Sequence, residues 1–291
     1  MNVDEVLSTH FSGVTPLNRP IMVLALRGWF DIAEVATTAI NELVTDRVAP
    51  IVASIDPDPF FDFTQERPYV ELDDDDVRTI QWPVNEFRFA RCPGAPHDLV
   101  VLAGVEPHLR YATFAESVLE VAKQSKCEVV VTVGAVADTI PHTRPPLVVG
   151  STTNRSLLTA LGLSLPRYQG ITGLVGVLQE RLDRAAVPAI SLRVGVPHYL
   201  GNAQHPQSSI ALLQHLHHVL GVPVHTARLA AEAARRRLLH DEAVADDEQA
   251  SAYVAMLERE YDQRSEEAIP SADDLAADFE RFLRDQRPDE N

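Results

Sequence analysis

Apolar runs alternate with segments of helical spacing along most of the chain, the pattern of a mostly parallel sheet flanked by helices on both faces. Ile21–Leu26 (IMVLAL) reads as a buried strand, and Asp31 opens a helix through about Val44, with Ile32, Val35, Ala36, Ala39, Ile40 and Leu43 on one side. Ile51–Ile55 is a second short strand. The alternation continues with a strand at Leu99–Ala103, a helix at Arg110–Gln124 and strands at Glu128–Val133 and Leu147–Val149. Helices at Thr153–Leu161 and Thr172–Ala186, a strand at Ala189–Val194 and a helix at Ser208–Leu220 complete an α/β core.

Two stretches have a different texture. Asp56–Arg91 carries DPDPFFDF, RPYVEL, the acidic run Asp73–Asp76, VRTIQWP and FRFA, short alternating pieces around a charged turn that predict a β-hairpin insertion. After Gly221-Val222-Pro223 the chain turns helical and polar, with Thr226 as N-cap of a helix through about Asp241. Ala250, Tyr253, Val254, Leu257 and Tyr261 make an apolar stripe, and Pro270-Ser271 precedes a last helix with Leu275, Phe279, Phe282 and Leu283 on one face. Those stripes predict that the tail folds against its own core or a partner. The expected division is a core over residues 1–222, with the hairpin at about 56–91, and an acidic helical segment over 223–291 acting as lid or oligomer brace.

Charge sharpens this division. The net charge is −17, and residues 241–291 hold 17 acidic against 5 basic residues, a net of −12 that leaves −5 for the rest. An anionic surface repels a phosphate backbone, so no nucleic-acid partner is expected. No apolar stretch is long enough for a span, and no basic amphipathic helix is found, so no membrane partner is expected either. The start, MNVDEVLSTHF, lacks the basic and apolar regions of a signal peptide. Two cysteines, Cys92 and Cys127, without a Cys-x-x-Cys, fit a reducing compartment, and the expected location is cytoplasmic.

Candidate chemistry clusters by position. Gly28-Trp29-Phe30-Asp31, Asp56-Pro57-Asp58, Gly104–His108, Gly134–Pro146, Ser151–Asn154 and Val196–Tyr199 each follow a predicted strand, and strand carboxyl ends line the ligand crevice of open parallel sheets. The plainer reading is that such loops need Gly, Pro, Asp and hydroxyl residues for turns and caps. Asp31 either caps its helix or faces a ligand with Trp29. Asp138 and His142 are an acid–base pair, metal ligands or a hydrogen-bonded structural pair, and His198 beside Tyr199 is the best lone general-base candidate. Gly170, Thr172 and Gly173 open a helix whose free amides suit an anion, or else close helix packing, and Glu106 completes the rim. His215, His217 and His218 read as a solvated helix face. There is no Gly-x-Ser-x-Gly elbow, Walker loop or His-Glu-x-x-His, and the only lysines, Lys123 and Lys126, sit near a helix end, which argues against a Schiff base.

Taken in order, LRGWFD (Leu26–Asp31), DPDPFFDFTQERP (Asp56–Pro68), Trp82-Pro83, GVEPHLRY (Gly104–Tyr111), VGAVADTIPHTRP (Val133–Pro145), RYQGITGLVGVL (Arg167–Leu178) and VPHYL (Val196–Leu200) resemble the bacterial branch of the proteasome assembly chaperone family. The resemblance runs from about Ile21 to Leu220 and on into the tail. It implies a core like that of nucleoside phosphorylases and peptidyl-tRNA hydrolases, a hairpin used in oligomer contacts, a homotrimer, and a helical tail over a ligand pocket. It brings no catalytic set, since the bacterial members are largely of unknown function. Relatives that chaperone proteasome rings can end in a hydrophobic–tyrosine–any tripeptide, whereas this chain ends Asp289-Glu290-Asn291, which reads against docking by that route.

The resulting expectation is an oligomeric binding or assembly protein with a protein partner, no cofactor, no metal and a pocket at the strand ends. Trp29, Asp31, Glu106, Asp138, His142, Gly170, Thr172, Gly173, His198 and Tyr199 are expected to touch the ligand. The alternative is a hydrolase or phosphorylase of a small anionic or nucleoside-like substrate, with His198 or His142 as base, a carboxylate of the rim orienting it and helix-start amides holding an anion.

Overall fold

A computed structural model describes residues 2–12, 15–73, 76–265, 277 and 279–281. In chain order the strands are β1 (Leu7–Thr9), β2 (Ile21–Arg27), β3 (Ile51–Ile55), β4 (Tyr69–Leu72), β5 (Arg78–Gln81), β6 (Asn85–Ala90), β7 (Leu99–Val105), β8 (Val129–Asp138), β9 (Val148–Ser151) and β10 (Ala189–Pro197). The helices are α1 (Val35–Thr45), α2 (Tyr111–Gln124), α3 (Arg155–Ala160), α4 (Leu174–Arg184), α5 (Pro206–Leu220), α6 (Ala227–Ala245) and α7 (Glu248–Ser265).

Eight strands form one sheet in the order β1-β3-β6-β7-β2-β8-β10-β9. Its centre, β7-β2-β8-β10, is parallel, and its strands are apolar on both faces because helices cover both. The face carrying Ile21, Val23, Val131 and Val133 packs on α1 and α5, whereas Met22, Leu24 and Val130 pack on α2 and α4.

The central sheet is parallel-rich as expected, and antiparallel pairs flank that parallel centre. The β1–β3, β3–β6, β6–β7 and β10–β9 pairs are antiparallel. The main cause is β6, which was assigned to the insertion but belongs to the central sheet. Its Phe87 and Phe89 are buried and alternate with half-buried Glu86 and Arg88, and a short return from β6 to β7 needs no crossover helix. The inserted hairpin is therefore only β4–β5 with its turn, and Asp74 and Asp75 of the acidic run lie outside the described residues. The short edge strand β1 carries too few apolar positions to have announced itself.

Caps also differ from expectation. Thr226 stands at the N-cap of α6 but its side chain makes no capping bond, whereas Asn154 accepts from the Ser156 and Leu157 amides at the start of α3. Thr226→Ala is thus expected to leave the urea midpoint nearly unchanged, while Asn154→Ala loses about 1 kcal/mol. Equal losses for the two variants would contradict this.

The described part of the tail docks on its own core. Arg228 of α6 pairs with Glu42 of α1, and Arg47 donates to the Pro223 carbonyl. Val254, Leu257 and Tyr261 of α7 are buried as the stripe predicted. Of the expected final helix, Leu275, Phe282 and Leu283 lie outside the described residues, but Phe279 is fully buried in the α1/α5 layer. Beside it, Glu280 accepts from buried His97 (2.8 Å) and pairs with Arg19 (3.7 Å). Among the described residues no helix is long and apolar enough to cross a membrane.

Candidate functional site

Because β2, β7, β8 and β10 are parallel, their carboxyl ends leave the sheet in one direction. After β2 the chain turns sharply, and Asp31 swings inward. Its Oδ1 accepts from the Ala36 amide (2.6 Å), and its Oδ2 accepts from the Thr37 amide (3.0 Å) and hydroxyl (2.6 Å). Burial raises the Asp31 pKa, and these hydrogen bonds oppose the rise. Both oxygens are thus committed to the start of α1. Phe30 lies against the bare backbone of Gly134, where a Cβ would come within 2.1 Å of its ring. Trp29, on the same turn, is 64% exposed.

Glu106, directly after β7, ties the rim together. One carboxylate oxygen accepts from the Trp29 amide and the other from the Leu174 amide, each at 2.8 Å. Gly28 and Gly173 make room, since a Cβ on either would come within 2.6 Å or less of Glu106. This revises the expectation of free amides at the Gly170–Gly176 helix start. The anion at the first turn of α4 is the protein's own Glu106. Gly170 sits in an exposed loop braced by a hydrogen bond from the Tyr168 hydroxyl to the Ile171 carbonyl (2.9 Å).

Behind this rim lies a cavity of about 2100 Å³ between the sheet and α4. Trp29, Asp31, Glu106, Thr172 and Gly173 border it. Its floor adds Ser151 of β9, from the Ser151–Asn154 motif, and two residues that the sequence reading did not single out, Ser191 and Arg193 of β10. The available signal was Arg193 itself, the one charge in the otherwise apolar run Ala189–Pro197.

Asp138, His142, His198 and Tyr199 also come together, but outside the cavity and beneath the tail. Tyr199 accepts from the His142 amide (2.7 Å), so its hydroxyl proton faces His142 Nδ1 (2.6 Å), and His142 Nε2–H donates to Asp241 of α6 (3.1 Å). Burial pushes the Tyr199 phenol up to about 12. His198 Nδ1–H donates to the Asp138 carbonyl (3.0 Å), leaving Nε2 to accept from Tyr253 of α7 (3.1 Å). The Asp138 carboxylate accepts from the Thr139 amide (2.7 Å). Around them, Arg144 is clamped by Glu258 (3.2 Å) and Asp262 (2.8 Å), which raise its pKa, and Tyr261 donates to the Pro145 carbonyl (2.7 Å). Both ring nitrogens of His142 and of His198 are therefore bonded, one of each pair within the core and the other to the tail. Asp241, Tyr253, Glu258 and Asp262 are further site residues that the sequence reading missed. Among the described residues no group of three or more His, Cys, Asp or Glu side chains is placed to hold a metal.

Comparison with known proteins places this architecture. A PAC2 family protein from Streptomyces avermitilis is 36% identical, covering 81% of this chain and 99% of that one, with a TM-score of 0.75. A proteasome-assembly chaperone homologue from Mycobacterium tuberculosis is 34% identical, covering 80% and 99%, with a TM-score of 0.72. A second M. tuberculosis protein, of unknown function, is 26% identical over 97% of this chain and 96% of its own, with a TM-score of 0.79. No curated protein matches at a significant level. With the profile described as PAC2 family matching residues 25–244, most of the core and much of α6, the chain belongs to the PAC2 family.

Proposed function

We propose that this chain is a homotrimeric binding or assembly factor that contacts a protein partner, with its tail acting as a lid or brace. The observation that carries the reading is the β4–β5 hairpin. All four residues of β4 are exposed; Val70, Leu72 and the facing Ile80 form an apolar surface on one side of the hairpin, and Tyr69, 65% exposed, stands on the other. Two strands alone are marginal in water, and an apolar patch of this kind marks a surface meant to be covered. The relationship to a mycobacterial protein described as a proteasome-assembly chaperone homologue supports the assembly role. The parallel centre with a rim at its strand ends supports a core of the nucleoside phosphorylase and peptidyl-tRNA hydrolase kind, with a ligand in the cavity. The free thiols of Cys92 and Cys127 support a cytoplasmic setting.

Light scattering on the purified protein tests the proposal. Wild type is expected at three times the chain mass, and replacing Tyr69, Leu72 and Ile80 together by serine is expected to give monomers with an unchanged urea midpoint. A monomeric wild type, or a trimer indifferent to the triple change, overturns the hairpin contact. Affinity capture of the tagged trimer is expected to retain a stable protein partner, and capture that returns only the chain itself counts against the assembly role.

The cavity supports a second reading, a hydrolase or phosphorylase of a small anionic or nucleoside-like substrate. We rank it below the first because its nominated bases, His142 and His198, stand outside the cavity with both ring nitrogens bonded.

A further inference from the structure

We propose that Arg193 is the anchor of an organic-anion site on the cavity floor, with Ser151 and Ser191 completing the cradle for a carboxylate or phosphate head group. The proposal rests on the pocket reading above and names the chemistry that the pocket selects. The β9–β10 register sets Ser151 directly opposite Ser191, and Arg193 follows two residues along the same strand, so all three side chains leave the sheet on one face. All three line the cavity. Among the described residues none of the three side chains has a hydrogen bond or an ion pair. Two hydroxyls and a guanidinium on a rigid sheet are the donors that an oxyanion requires, and the planar fork of arginine suits both head groups.

Five of the six lining carboxylates, all but Glu34, are already engaged. Glu66 is committed to Arg27 (2.5 Å), Glu106 to the Trp29 and Leu174 amides, Asp31 to α1, Asp183 to Thr153 (3.0 Å), and Glu180 to Arg184. Holding a guanidinium half-buried without a counter-charge is costly, and an arriving anion removes that cost.

The body of the ligand is apolar. In the β8–β10 register Arg193 pairs with Gly134, the residue whose bare backbone receives the edge of the Phe30 ring, so an aromatic ring stands on the strand position next to Arg193. Leu163, Val175, Tyr168 and Trp29 continue that surface to the mouth. The volume of about 2100 Å³ leaves room for several rings or an acyl chain behind the head group. The geometry therefore points to an organic acid or phosphate ester with an apolar or aromatic body.

The test uses three probes sharing one ring system: 2-naphthoate, 2-naphthyl phosphate and neutral 2-naphthol. Trp29 and Trp82 are the only tryptophans, so a Trp82→Phe background makes Trp29 quenching a reporter of the cavity mouth. In that background both anions are expected to bind more tightly than 2-naphthol. Arg193→Gln is expected to weaken the anions at least tenfold and leave 2-naphthol unchanged, with Arg193→Lys between. Whichever anion binds more tightly tells a carboxylate source from a phosphate source. If none of the probes quenches Trp29, the pocket falls and the anchor with it. If all three bind and Arg193→Gln changes none of them, the pocket stands and the anchor is overturned. The melting temperature of Arg193→Gln is expected to hold or rise, since a guanidinium without a counter-charge has been removed, and a sharp fall would mean a structural partner and overturn the assignment.

Discussion

Glu106→Ala is expected to lower the stability to urea by about 3 kcal/mol, although Glu106 belongs to no hydrophobic cluster. Its two oxygens accept separate amides, Trp29 N on the turn after β2 and Leu174 N at the start of α4, each at 2.8 Å. Bonds to a charged acceptor contribute about 1.5–3 kcal/mol apiece, and the half-exposed amides recover part of this by rehydration. The carboxylate at the first turn of α4 adds a favourable helix-dipole interaction that alanine forfeits. Glu106→Gln separates the parts of this account. A glutamine has one acceptor oxygen, so one amide stays bonded while the other faces an NH₂, and about half of the loss is expected to remain. Freed from its amide bond, the exposed Trp29 is expected to show lower fluorescence anisotropy in Glu106→Ala. Urea midpoints within error of wild type for both would show that the bridge holds nothing.

The same residue marks what can be read along a chain and what cannot. Ile21–Leu26 was legible as a central strand because burial on both faces leaves an uninterrupted apolar run, and observed β2 is Ile21–Arg27. Asn85–Ala90 was misplaced because alternation reports that one face is buried but not against which neighbour. Phe87 and Phe89 turned out to face the main core. Glu106 was placed on the rim because it follows a strand. That it would reach across to occupy a helix start at Leu174, 68 positions on, depends on two glycines that only the fold brings alongside.

Strand length explains why the nominated site residues separate into two groups. In the sheet register Ile21 lies beside Leu99 and Val129, so all three strands start level. By that alignment the end of β2 at Arg27 is level with Ala135, and β8 continues to Asp138. Three further residues carry the ends of β8 and β10 about 10 Å beyond the ends of β2 and β7. Loops at that height meet α6 and α7 instead of the cavity, so His142 finds Asp241 and His198 finds Tyr253. Counting polar residues after each strand reveals a rim but not its levels. The tail partners lie 99 and 55 positions away, in a segment whose apolar stripe said only that it would dock somewhere.

The docked tail is expected to loosen between pH 6.5 and pH 4, with His205 as the group responsible. His205 is buried in front of α5, and its folded pKa is lowered from 6.5 to about 4, first by burial and then by His240 and His142. Ser208 donates its one proton to the Gly195 carbonyl (2.7 Å), so His205 Nδ1–H must donate to Ser208 Oγ (2.8 Å). Nδ1 is thereby fixed as the protonated nitrogen, and a second proton has to enter at Nε2. Across the core–tail boundary lies the His240 ring, stacked on His205 at 6.2 Å, whose own pKa is lowered by burial, His142 and Arg236 against the opposing pull of Asp241. Below pH 6.5 the unfolded chain takes up a proton that folded His205 refuses, so stability falls as pH falls and levels off near the folded value of about 4. Over this window the shift corresponds to about 3 kcal/mol, and His240 adds to it in the same direction. Carboxylates titrate nearby, so the informative quantity is the difference between wild type and His205→Gln, which keeps a donor for Ser208 but does not titrate. Wild type is expected to lose about 3 kcal/mol more than the variant between pH 7 and pH 4, and parallel stability curves would remove His205 from the account.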